Sequence, residues 1–138
     1  MKLLLFRWLL PAAAGALLAL AFPPWEAVQL AWLGLIPLFV AVRNVSGGEA
    51  ARRGYIAGLV FFGLTLWWIG HVTVPGAVAV IAVLALYFAL AALWFRLVLA
   101  PARSGERPLA NLGAALLAAA GWATLEWVRG CVLLGGFG

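Results

Sequence analysis

The side chains able to do chemistry are few in this chain, and they gather in short stretches. Trp67 and His71 stand one helical turn apart within Thr65-Leu66-Trp67-Trp68-Ile69-Gly70-His71, and Trp122 and Glu126 share a helical face at i and i+4, with Arg129 three residues beyond Glu126. A histidine at such a place suits a base or a metal ligand. A carboxylate beside a guanidinium suits a cationic or hydrogen-bonding contact, and also suits mere mutual neutralisation. No second His exists, and no nearby Cys or Asp completes a metal set, so no metal site is expected and a solvated loop-end histidine is the plainer reading of His71. Cys131 is the single cysteine, which excludes an intrachain disulfide and a multi-cysteine metal site. As a nucleophile it would need a positioned base and a place for the developing oxyanion. It has only Glu126 and Arg129 nearby in sequence and sits among Val132, Leu133 and Leu134, so the thiol is expected to be inert.

These residues must be positioned by membrane-spanning helices. Apolar residues make up 67% of the 138 and charged residues 9%, a balance that leaves no polar skin for a globule in water. Five apolar runs fill the chain, at about 8–25, 27–42, 54–70, 72–95 and 109–125. A span of about 30 Å needs about 20 helical residues. The fourth run is ample and the first adequate, while the others must borrow flanking residues or pack inside a bundle. The expected fold is an all-α polytopic bundle of about five transmembrane helices, approximately 8–22, 26–42, 54–71, 76–99 and 109–128, forming one transmembrane domain over 1–138. Lys2 and Arg7 with Ala19-Leu20-Ala21 also resemble a signal peptide, but the second run fits as the return half of a hairpin.

Charge sets the expected orientation. Lys2 and Arg7, then Arg43, Arg52 and Arg53, then Arg96, Arg103 and Arg107 occupy the start and every second gap, leaving Arg129 alone of the nine basic residues elsewhere. By the positive-inside rule the N-terminus and the loops around Ser46 and Ser104 face the cytoplasm, and Glu26, His71 and Glu126 lie at the opposite surface. The net charge of +5 is then an attraction to the anionic leaflet and not a sign of nucleic-acid binding.

Local signals agree with this layout. Pro23-Pro24 must end the first helix, Pro37 is an expected kink in the second, and Pro75-Gly76 marks the turn before the fourth. Gly54 and Gly58 form a GxxxG, and Ala110, Ala114, Ala118 and Gly121 a small-residue stripe, both ordinary faces for close helix packing. Trp25, Trp67, Trp68 and Trp127 read most simply as interfacial anchors.

Three motifs in register resemble one family. Leu18-Ala19-Leu20-Ala21-Phe22-Pro23-Pro24 is similar to the first hairpin of the apolipoprotein N-acyltransferases. The stretch Arg53-Gly54-Tyr55 through Gly63 to Trp67-Trp68-Ile69 resembles their third helix, and Glu126-Trp127-Val128-Arg129-Gly130 resembles their Glu-aromatic-apolar-Arg-Gly motif. The chain departs from the family at Gly135-Gly136-Phe137-Gly138, which lacks the Pro and Trp of a Gly-Phe-Pro-Trp element, and at Cys131, where an aromatic residue is commoner.

The resemblance implies a bacterial inner-membrane, multi-pass enzyme of eight helices. A periplasmic nitrilase-like domain would hold a Glu-Lys-Cys catalytic set, and an acyl chain would pass from phospholipid to the N-terminal cysteine of diacylated lipoproteins. These residues stop before that domain, and their one lysine, Lys2, lies at the opposite end from Cys131. No catalytic residue and no cofactor is therefore expected within them. What the resemblance implies for this portion is anchoring and part of a lipid-access wall, with Trp67, Trp68, His71, Glu126 and Arg129 contacting substrate. Its partners would be membrane phospholipids and, through the full-length enzyme, diacylated lipoproteins, with no nucleic acid. The alternative is a non-enzymatic membrane protein such as a transporter subunit or assembly factor. A transporter would be expected to line a midplane cavity with polar groups or broken helices, whereas the polar residues here gather at one surface.

Overall fold

The structure is a computed structural model that describes residues 2–99 and 108–133, with side chains from 7–99 and 109–131. The second basic loop, with Arg103, Ser104 and Arg107, and the Gly135–Gly138 element lie outside the described residues. Every regular element among the described residues is helical.

Helix α1 (Lys2–Ala19) contains Pro11 and stops ahead of the Pro23-Pro24 pair. A tight turn follows, in which the Glu26 amide donates to the Phe22 carbonyl and the Ala27 amide to the Leu20 carbonyl, at 3.1 and 2.9 Å. Glu26 adopts a left-handed φ of 52° to complete it. The return run is two short helices, α2 (Gln29–Gly34) and α3 (Ile36–Val42), with the break at Leu35. Pro37 sits in the first turn of α3, where its missing N–H has no intrahelical partner to lose. The expected kink is thus an interruption at Leu35, whose backbone stays in the right-handed helical region.

Helix α4 (Gly47–Thr65) begins seven residues before the apolar run does. Ser46 is its cap: the hydroxyl accepts the Glu49 amide at 3.3 Å, half of the Ser-x-x-Glu capping pattern. Charged residues end a hydrophobic run but need not end a helix, so Glu49, Arg52 and Arg53 occupy its first turns. At its other end a 3₁₀ turn (Trp67–His71) replaces the last turn of the expected helix. Helix α5 (Val74–Leu99) carries Pro75 in its first turn. Helix α6 (Pro108–Trp127) widens into a π-helical turn over Val128–Leu133. Two stretches, Val74–Leu99 and Leu109–Cys131, are long and apolar enough to cross a membrane.

Glycines let the helices touch. A Cβ on Gly54 would lie 2.3 Å from the Phe88 carbonyl oxygen, and one on Gly58 would lie 2.8 Å from the Ala85 Cα, so the GxxxG face is where α4 meets α5. Gly15 does the same for α1, 2.2 Å from the Ala57 carbonyl oxygen. Among the described residues the core contains no buried polar or charged residue, while Trp32 and Leu109 are 86% and 83% exposed. That distribution suits a lipid exterior.

Among the described residues, Arg7, Arg52 and Arg53 converge at one end, around Glu49. Arg7 Nε from α1 and Arg53 Nε donate to Glu49 Oε1 at 3.2 and 3.0 Å, and Arg52 donates to Oε2. Arg53 reaches on to the Ala41 carbonyl at 2.6 Å, and Arg96 of α5 donates to the Val45 carbonyl at 2.6 Å. One carboxylate thereby clasps α1 to α4, while Arg53 and Arg96 tie in α3 and the loop after it. The Arg52 hydrogen bond, joined by that of Arg53 and by the charges of Arg52 and Arg7, outweighs desolvation and lowers the Glu49 carboxyl from 4.5 to about 2.

Candidate functional site: an aromatic cavity opposite the arginine clasp

At the other end the helices line a half-open cavity of about 800 Å³. It is within the range typical of small-molecule sites. Leu18 and Phe22 to Pro24 from the end of α1 and its turn form one side, and Phe61, Phe62 and Thr65 of α4 lead into Trp67 and Trp68 of the 3₁₀ turn. Leu84 and Phe88 of α5 and Trp122, Glu126 and Arg129 of α6 and its π-helical extension complete it.

Its wall is a continuous set of rings. Phe61 lies 5.5 Å from Phe22, 4.9 Å from Phe62 and 5.3 Å from Phe88, and Phe88 meets Trp122 edge-on at 5.2 Å. Thr65 spends its hydroxyl on the Phe61 carbonyl at 2.9 Å, which removes a polar group from the lining.

One ion pair interrupts this apolar surface. An Arg129 terminal nitrogen donates to Glu126 Oε2 at 2.6 Å, and the guanidinium carbon lies 5.7 Å from the centre of the Phe62 ring. The Arg129 side chain is 17% exposed and that of Glu126 39%. Arg129 Nε is buried and has no hydrogen-bond partner among the described residues. A guanidinium carries five N–H donors in a planar fork, so this pairing leaves donor capacity beside the cavity.

Four of the five residues singled out from the sequence, Trp67, Trp68, Glu126 and Arg129, line this cavity together. His71 stands outside it, exposed, with its ring edge-on to Trp67 at 5.1 Å and Nδ1 3.3 Å from the Trp68 carbonyl oxygen. Cys131 is exposed. Among the described residues no three His, Cys, Asp or Glu side chains group as metal ligands would. Sequence reasoning names Phe22 only within the hairpin motif and does not single out Phe61, Phe62 or Phe88. A polar residue stands out in an apolar helix, whereas a phenylalanine does not, and the only available signal is the i, i+4 alignment of Phe61 with Thr65.

Residues 14–138 match the profile of the apolipoprotein N-acyltransferase N-terminal domain. The chain belongs to the apolipoprotein N-acyltransferase family. It is 37% identical to the apolipoprotein N-acyltransferase of Pseudomonas putida over 92% of its own length, and 37% identical to that of Caulobacter vibrioides over 88%. A third relative, from Chlorobaculum tepidum, is 32% identical over 62% of the chain. The chain spans about a quarter or less of the length of these relatives, 26%, 24% and 17% respectively. No solved structure matches it. Family membership together with two membrane-length apolar helices marks the chain as a membrane protein.

Proposed function

We propose that this chain is the N-terminal membrane domain of an apolipoprotein N-acyltransferase of the bacterial inner membrane, and that its aromatic cavity is part of the wall by which lipid reaches the reaction site. The observation that carries this reading is the cavity itself: an apolar, ring-lined void with one guanidinium at its edge matches the division of a phospholipid into acyl chain and anionic head. Trp67, Trp68 and the phenylalanines contact the acyl chain. Arg129, held by Glu126, offers its remaining donors to the head group, and His71 stands beside the Trp67 face of the entrance.

In this reading the chain crosses the bilayer about five times. Its arginine clasp lies at the cytoplasmic surface, and the cavity opens toward the periplasmic leaflet. α2 and α3 together make one crossing, and α4 continues past the membrane surface into its charged first turns. The whole enzyme transfers an acyl chain from phospholipid to the N-terminal cysteine of diacylated lipoproteins, and this domain anchors and feeds that reaction.

The test is photocrosslinking of the chain in nanodiscs of phosphatidylethanolamine that carries a diazirine on its acyl chain. Adducts should concentrate at Phe61, Trp68 and Trp122, above the level at Trp32, which is 86% exposed. Adducts that follow exposure alone, with Trp32 labelled most, would show that the cavity does not hold lipid.

A further inference from the structure

Helix α6 holds Glu126 and Arg129 at the cavity, yet it packs chiefly on α5 and buries little of itself. Its placement depends on few contacts, and one of them is specific. Trp94 of α5 donates its indole N–H to the Leu117 carbonyl of α6 at 2.9 Å. In lipid such an N–H requires a partner. The ring reaches that carbonyl through a notch left by Gly121: a Cβ there would lie 2.1 Å from Trp94 Nε1 and 2.4 Å from Cδ1. Gly113, two turns earlier on the same helix, has nothing within 4 Å of the corresponding position. The two glycines therefore differ in role. Gly121 adjoins Trp122, whose ring packs on Phe88 and Phe95, and Glu126 and Arg129 follow on the next turns.

We propose that Trp94 is a positioning residue: its indole, seated over Gly121 and bonded to the Leu117 carbonyl, fixes the height of α6 on α5 and so sets the Glu126–Arg129 pair at the edge of the cavity. The functional consequence rests on the lipid-access reading above, but the placement of α6 does not. Filling the notch must either swing the indole off its carbonyl or push α6 away, and both release the lock. Helical interfaces of this kind shift by about 1–2 Å between arrangements.

The experiment places spin labels at Leu64 of α4 and Ala123 of α6, in the full chain with Cys131→Ser, reconstituted in nanodiscs. Pulsed electron–electron resonance should show the distance distribution shifted by about 1–2 Å or broadened in Gly121→Ala and in Trp94→Phe. The double variant should change it no further than either single one. Gly113→Ala gains the same helix propensity without meeting the indole and should keep the parent distribution. Trp94→Phe retains an aromatic ring and provides the test if Gly121→Ala does not fold. A parent-like distribution in both Trp94→Phe and Gly121→Ala, whatever their melting temperatures, would overturn the proposal. Acylation by an N-acyltransferase carrying this domain is read separately. A shifted distribution with undiminished acylation would keep the lock and remove the lipid-access reading.

Discussion

Glu49 at one end of the bundle meets three arginines, and Glu126 at the other meets one. At the Glu49 end both carboxylate oxygens are taken, and Arg53 and Arg96 spend further donors on backbone carbonyls. Among the described residues no side-chain polar atom of this cluster is both buried and unpaired. At the Glu126 end Arg129 keeps a buried Nε–H without a partner, beside a void lined by aromatic rings. Charged groups that satisfy one another hold a fold together. In the proposed function the remaining Arg129 donors serve a lipid head group at this end.

The largest expected contrast between the two ends is the side of the membrane that each is proposed to face. Cysteines introduced by Ser46→Cys and Glu26→Cys, each in Cys131→Ser, should differ nearly all-or-none toward a membrane-impermeant thiol reagent in spheroplasts, with the Ser46 position protected. Equal labelling rates would overturn the orientation. The structural role assigned to Glu49 comes next in size. Glu49→Gln leaves three guanidiniums without their shared partner and should lower stability by about 1–2 kcal/mol, between the values for exposed and buried pairs.

The same carboxyl predicts a pH dependence. Its folded pKa of about 2 lies below the ordinary 4.5, so its contribution is fully present above pH 4.5 and is lost progressively as pH falls toward 2. Melting temperatures of the parent chain should decline across that window, and those of Glu49→Gln should decline less. At the cavity end the stability effect is smaller, because Glu126 is 39% exposed on its side chain. Glu126→Gln should lower stability by about 0.5–1 kcal/mol. Replacing Glu126 and Arg129 together by Leu should fold at least as well as that single variant, since no charge is left unpaired. Thermal melts of the three proteins check the ordering. The smallest effect belongs to Cys131: exposed and without a base in the sequence around it, it should form no hydroxylamine-sensitive acyl-enzyme with radiolabelled phospholipid. A labelled thioester absent from Cys131→Ser would contradict that.

Much of this contrast is legible in the amino-acid sequence. The apolar runs lay out the helical order, and Trp67, Trp68, Glu126 and Arg129 are four of the residues that line the cavity. Hydropathy fails where a helix and an apolar run do not coincide. Ser46 caps a helix that starts in charged residues, and the second run hides a break at Leu35 because both of its halves are apolar. The Glu49 clasp is hidden for a different reason: Arg7 and Glu49 are 42 residues apart, and only the pairing of α1 with α4 joins them. The phenylalanine wall carries no polarity to announce it. Spacing from Trp67 groups His71 with the site, but the 3₁₀ turn carries its ring outside the cavity.

In the proposed function the remaining donors of Arg129 serve a lipid substrate, while Glu49 and its arginines serve the fold. Arg129→Ala in an apolipoprotein N-acyltransferase carrying this domain tests it most directly, with acylation of a diacylated lipoprotein and the melting temperature measured on the same preparation. Losing a hydrogen bond to a charged group is worth about 1.5–3 kcal/mol, so acylation should fall by about tenfold or more with a melting temperature close to the parent's. Undiminished acylation at comparable stability would contradict the account and leave the Glu126–Arg129 pair a structural feature.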